Sequence, residues 1–258
     1  MNKIIRFASI GDCCADIYDD GTVKLGGTAY NVALAASKAG AHTSIISAIG
    51  TDSIGNKFLQ SFKKNNIDFT HLTRISGNTD TIKIKLVNTK PTYSDWKTAA
   101  IKTVTSDRTF LRSHDAARAV LFTSTKRLFD EFCSIDLRKT LKIGDFAGTS
   151  LDSYPVSIIK QYAKSLDVII KSVEDSRSLA ILQQLSFHCL VLALLGKRGS
   201  IVFTKNKMYK ESSLAVQTKN TTGAGDVYQA YFVVTYLQTK DIQKSMKIAS
   251  QAAAKAIS

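Results

Sequence analysis

Residues 220–230 read NTTGAGDVYQA, a stretch whose residue types could hold an anion beside a proton acceptor. Gly223, Ala224 and Gly225 carry almost no side chain, so their backbone amides can approach an anion closely. An apolar, alanine-containing run follows them, and the start of a helix adds partial positive charge to such a nest. Asp226 comes directly after the three small residues. A carboxylate beside a phosphate nest is repelled by phosphate, so its presence needs a reason. As a general base it would take the proton of an attacking hydroxyl, while the amides receive the charge that develops. As a plain helix cap it would do no chemistry. From this stretch alone both readings stand.

A nest and a base need a scaffold, and the rest of the chain reads as an α/β one. KIIRFASIG (3–11) is a buried strand ending at glycine, TAYNVALAASKAG (28–40) a helix of small residues closed by Gly40, and HTSIISAIG (42–50) a second strand. SIGNKFLQSFKKNN (53–66) is the next helix. Strand, helix, strand and helix with short connections predict a parallel sheet covered by helices. Residues 79–88, TDTIKIKLVN, break the rhythm. Ile82, Ile84 and Leu86 alternate with polar residues, the period of a strand with one wet face, which predicts a small appended sheet. Further strands are expected at 119–124, 141–148, 166–172 and 187–196, a hairpin at 199–212, and two helices from Ala224 to the C-terminus. With two prolines, Pro91 and Pro155, and no Pro-rich linker or internal repeat, one domain over 1–258 is expected.

Composition bounds the rest. The chain has 258 residues, 44% of them hydrophobic, enough for a sizeable core and against global disorder. No apolar run reaches the length of a membrane span, and MNKIIRFASIGDCCADIY reads as a first strand rather than a secretory signal, so a cytoplasmic protein is expected. Cys13, Cys14, Cys133 and Cys189 show neither zinc-site spacing nor a disulfide framework. Lysine and arginine outnumber acids 35 to 21, for a formal charge of +14, which favours anionic partners. The bases are dispersed, however, and a solvated lysine-rich surface is expected rather than a nucleic-acid interface.

NTTGAGD resembles the C-terminal signature of the ribokinase-like (PfkB) carbohydrate kinases. GGTAYNVALAASKAGAHTSIISAIGTDSIGNKF (26–58) is similar to the family's N-terminal signature, with Gly26, Gly27, Asn31, Gly40, Gly50, Asp52 and Gly55 in order, and LLGKRGS (194–200) resembles its Gly-x-x-Gly segment. The resemblance implies a central, mostly parallel sheet flanked by helices, with a small β lid from segments near 13–25 and 79–110. It implies transfer of the γ-phosphoryl group of ATP, accompanied by Mg²⁺, to a sugar hydroxyl. Asp226 would be the base and Gly223, Ala224 and Gly225 the anion hole. Asp12, Asp16, Gly26, Gly27 and Asn31 would face the sugar, and Thr222, Gly196 and Gly199 the nucleotide. GDCCADIY, with Cys14 at the family's Asn position and Asp16 retained, is similar to the branch that phosphorylates fructosamines such as fructoselysine. Another sugar or a nucleoside, and a sugar-binding homologue without turnover, are the alternatives. The chain departs from the family at Asn-x-x-Glu: IIKSVEDS (169–176) places Ser172 at the Asn position and Asp175 at the Glu position, with Glu174 beside it as a second metal candidate. Tyr231 stands where the family has a small residue. A homodimer through the lid would suit an apolar strand face, and no membrane partner is expected.

Overall fold

The computed structural model describes residues 3–87, 90–147, 155–218 and 220–258. Strand β1 (Arg6–Ile10) leads into a hairpin of β2 (Cys14–Tyr18) and β3 (Val23–Gly26), then helix α1 (Thr28–Lys38), β4 (His42–Gly50) and α2 (Ser53–Lys64). Short strands β5 (Ile67–Asp68) and β6 (Leu72–Ile75) precede the hairpin of β7 (Asp80–Val87) and β8 (Lys90–Lys97). After α3 (Arg108–Leu111) the order is β9 (Ala116–Val120), α4 (Lys126–Ser134), β10 (Leu141–Asp145), α5 (Val156–Ile159), β11 (Val168–Ser172), α6 (Ser176–Leu185) and β12 (Leu190–Leu194). The hairpin β13 (Ser200–Phe203) and β14 (Met208–Glu211) and helices α7 (Ala224–Thr239) and α8 (Ile242–Ile257) complete the chain.

The main sheet runs β14-β13-β12-β11-β10-β9-β1-β4-β5, with β6 paired to β4, and is parallel except at β13 and β14. Its central strands are buried on both faces, and successive residues serve different cores. In β1, Phe7 packs with α1, α7 and α8, whereas Ala8 and Ile10 pack toward α4, α5 and α6. In β11, Val168 and Ile170 take the first side and Ile169 the second. This is why such strands read as continuous apolar runs rather than alternating ones. The alanines of α1 let it lie close between the sheet and α7. At its end the amides of Gly40 and Ala41 bond back to Ser37 and Ala36, closing the helix where the sequence expects it.

The second sheet, β3-β2-β7-β8, is the small appended one. Ile82 and Ile84 pack inward with Cys14, Tyr18, Tyr93 and Trp96, but Leu86 is exposed, so the alternation ends before the strand does. Asp80 anchors this sheet to the body, its carboxylate accepting from the amides of Ala99, Ala100 and Ile101 at 2.7, 2.8 and 3.1 Å.

Two strands sit elsewhere than expected. The strand placed at 119–124 runs from Ala116 to Val120, because Arg118, which reads as a surface residue, lies inside the strand and is buried by pairing with Asp145. The one placed at 187–196 begins at Leu190, since Phe187 turns outward, 67% exposed, after α6. Residue 88 of the expected lid strand and residue 148 of the strand expected at 141–148 lie outside the described residues. Among the described residues, no helix is long and apolar enough to cross a membrane.

Candidate active site

The parallel strands deliver their C-terminal ends to one edge of the sheet, where open α/β folds bind ligands. Between β1 and β9 the order of connection reverses, and a cleft of about 670 Å³ lies over this edge. One end is lined by Asp12, Cys14, Asp16, Gly27, Thr28 and Asn31, and roofed by Ile82, Pro91, Tyr93, Trp96 and Phe122. The other is lined by Ser172, Val173, Glu174 and residues 194–198. Thr222 through Asp226 and Gln229 join the two.

At that junction α7 begins. Gly223 is its N-cap with φ +80°, and no side chain caps the helix; of the expected anion hole, the Ala224 amide donates to the Thr221 carbonyl at 3.3 Å, while Gly223 and Gly225 line the cleft. Asp226 stands in the first turn without capping it. The Asn31 side-chain amide donates to Asp226 Oδ2 at 2.9 Å, and Gln229 Nε2 lies 3.4 Å from Oδ1. The Asp226 carboxylate opens onto the cleft, yet the protein around it is dense. Burial therefore pushes its pKa up to about 8, against the Arg118 charge and the Asn31 hydrogen bond, which hold it down.

Before α7, Asn220 Oδ1 accepts from the Thr222 amide and hydroxyl at 2.8 and 2.6 Å. Asn220 Nδ2 donates to Tyr18 of β2 at 3.1 Å, tying the loop to the small sheet. The Thr222 hydroxyl is thus engaged within its own loop, although the residue lines the cleft.

At the first end, Asp12 accepts from the Thr28 amide at 3.1 and 3.3 Å. Burial pushes the Asp12 carboxyl up, partly countered by Arg118. Asp16 is 93% buried by accessible surface; burial and then the Asp12 charge push it up to about 7, with Lys24 opposing. A Cβ on Gly26 would fall 2.3 Å from Asp16 Oδ1, so Gly26 seats that carboxylate rather than lining the cleft itself. Gly27, at φ +94°, lines the cleft and also packs backbone to backbone: a Cβ there would lie 2.6 Å from the Asp12 carbonyl oxygen. Gly27→Ala is expected to cost more than about 2 kcal/mol of stability, read as a lower urea midpoint with unchanged m-value.

Raised carboxyl pKa values also fix the pH dependence of stability. Protonated Asp16 and Asp226 suit the fold, so their contribution is full below the unfolded-state pKa of about 4 and is lost as pH rises through about 7 and about 8. The thermal midpoint of the ligand-free protein should therefore fall over that window, measured at constant ionic strength.

At the second end, Gly196 lines the cleft on an exposed turn. Gly199 does not line it. Its φ of +89° and a Cβ position 2.0 Å from the Glu211 carbonyl oxygen make it a requirement of the β13–β14 hairpin. Of the two metal candidates, Glu174 lines the cleft while Asp175 caps α6, accepting from the Ser178 amide at 2.7 Å. Among the described residues no three His, Cys, Asp or Glu gather as a metal site. Glu174, the carboxylate at the nucleotide end of the cleft, suits Mg²⁺ carried in on nucleotide phosphates, which keeps several waters. Tyr231 packs with the core beside α8 and is not part of the cleft lining.

Sequence reasoning overlooks Arg118, Asp145, Gln229 and Phe122. Gln229 alone carried a signal, lying three residues after Asp226 and hence on the same helix face.

Comparison with known proteins decides the family: residues 14–258 match the pfkB family carbohydrate kinases. The chain belongs to that family. This pfkB-family chain is a sugar or nucleoside kinase with the ribokinase-like fold. It is 26% identical over 239 residues to a nucleoside kinase of Methanothermobacter thermautotrophicus, covering 88% of this chain and 76% of that one. It is 23% identical over 258 residues to the fructoselysine 6-kinase of Escherichia coli, covering 97% and 96%. Its structure is similar to that of a fructokinase double mutant from Vibrio cholerae, described as bound to fructose, ADP and potassium ion. There the TM-score is 0.81 with 19% identity, covering all of this chain and 94% of that one.

Proposed function

We propose that this pfkB-family kinase transfers the γ-phosphoryl group of ATP to the 6-hydroxyl of a fructosamine such as fructoselysine. The carrying observation is the place of Asp226, at the uncapped head of α7 and at the junction of the two ends of one cleft. Asp226 accepts the hydroxyl proton as the sugar oxygen bonds to the γ-phosphorus. The bond from that phosphorus to the β–γ bridging oxygen breaks, and ADP leaves. Asn31 orients the base, and the amides of Gly223 and Gly225 receive the charge on the transferring group. Mg²⁺, when bound with ATP, neutralises phosphate charge, and Glu174 is the carboxylate placed to hold it, directly or through water. Gly196 borders the nucleotide end. The small sheet roofs the acceptor end and excludes water as a competing acceptor.

Asp12 and Asp16 support the fructosamine. Burial, and after it the Asp12 charge, raises the Asp16 carboxyl, and the ammonium group of a fructosamine would favour its ionised form. The aromatic roof of Tyr93, Trp96 and Phe122 favours a second reading, a nucleoside whose base stacks on one of these rings. A phosphorylation panel of fructoselysine, fructose, ribose and adenosine with ATP and Mg²⁺ separates them. The expected result is a kcat/KM for fructoselysine at least about tenfold above the others. Preference for adenosine would install the second reading, and binding without turnover of any of them would contradict kinase action at this site.

A further inference from the structure

Arg118 is charged, mid-strand in β9, and only 1% exposed. It forms an ion pair with Asp145 at the end of β10, and its Nε donates to Gln229 Oε1 at 3.1 Å. The Gln229 amide group in turn donates to Asp145 Oδ2 at 2.9 Å and reaches Asp226 Oδ1 at 3.4 Å. Asp145 Oδ1 accepts from the Ala147 amide at 2.8 Å. Arginine can only donate and an ionised carboxylate can only accept. The orientation of the Gln229 carboxamide is therefore dictated, with its oxygen to Arg118 and its nitrogen toward the two carboxylates.

A buried ion pair is a poor device for stability, because desolvation offsets most of the attraction. Its cost beside the reacting carboxylate suggests a different use. We propose that Arg118, Asp145 and Gln229 form a buried relay that positions Asp226 and sets the pH range over which it accepts a proton. The proposal rests on Asp226 as the base and goes beyond it, assigning positioning residues that act through Asp226: Arg118 stands behind the cleft lining, and Asp145 and Gln229 line it beside the base.

The charged and titratable groups around Asp226 come from several elements: Arg118 from β9, Asp145 from β10, Asp12 from the segment after β1, and Tyr93 from β8. Lys171 of β11 stands behind Asp145. Asn31 and Gln229 contribute neutral amides. Arg118 is the cation in this set that holds the Asp226 carboxyl down, while Asp145 and Asp12 push it up. Gln229 is the neutral spacer that joins that cation to Asp226 without a direct contact.

The test is the acid limb of kcat/KM for the phosphorylated sugar, followed against pH in the full chain and in Arg118→Met, Arg118→Lys and Gln229→Met. Arg118→Met and Gln229→Met should move the limb upward by about one pH unit and lower kcat/KM at neutral pH about tenfold. Sugar KM at high pH should stay within about twofold in Arg118→Met, whose side chain is not part of the cleft lining. Arg118→Lys should restore part of the shift by keeping the charge. If Arg118→Met fails to fold, Gln229→Met carries the test. An unmoved limb in the folded variants, with only a lower thermal midpoint, overturns the relay. A full-length enzyme with no acid limb at all fails the base assignment as well, which separates the two outcomes.

Discussion

Asp226→Asn is expected to lower kcat by about 10²–10⁴-fold while the fold and ATP binding persist. The change keeps size and shape, and the Asn31 amide still finds an oxygen to donate to. What disappears is the lone pair that takes the acceptor's proton. Stability should not suffer, because the replacement removes a carboxylate that burial already disfavours in its charged form. In the unaltered enzyme the same carboxylate must be ionised to act. Its pKa near 8 in the ligand-free protein means that kcat/KM should fall about tenfold per pH unit below that value. A kcat for the variant within about threefold of the parent would remove Asp226 from the chemistry.

Asp16→Ala should act on binding instead. A carboxylate can accept two hydroxyl hydrogen bonds at once, and charge-assisted bonds are worth about 1.5–3 kcal/mol each. Sugar KM should therefore rise about 10²-fold, with a much smaller change in kcat. Asp16 sits against Gly26 and repels Asp12, so its loss leaves a small void but relieves a buried like-charge pair. The thermal midpoint at alkaline pH should accordingly hold or rise. An unchanged sugar KM would place Asp16 outside the acceptor site.

The parts of the structure that the sequence disclosed are those governed by local rules. NTTGAGD announced a helix start with a carboxylate beside it, and the structure places the cleft there and shows that this carboxylate does not cap the helix. The small residues of α1 and the glycine that closes it told of a helix packed close to a sheet. Long-range pairing was not visible. Arg118 looked like the edge of a strand because its neutralising partner, Asp145, is 27 residues away in sequence. Gly199 read as a nucleotide contact because the hairpin backbone that demands a glycine folds back from Glu211. Asp175 stood at the family's Glu position with Glu174 beside it, and the cap geometry of α6 takes Asp175 out of the cleft while Glu174 lines it. Tyr93 and Phe122, which join Trp96 in the roof over the acceptor end, escaped for a similar reason, since they come together from β8 and the loop after β9.

The most direct measurement is a crystal structure of this chain with fructoselysine and a non-hydrolysable ATP analogue. The oxygen that will receive the phosphoryl group should lie about 2.6–3.2 Å from an Asp226 carboxylate oxygen, with the terminal phosphate against the amides of Gly223 and Gly225. An acceptor hydroxyl held away from Asp226, with some other basic group in reach of its proton, would contradict the account.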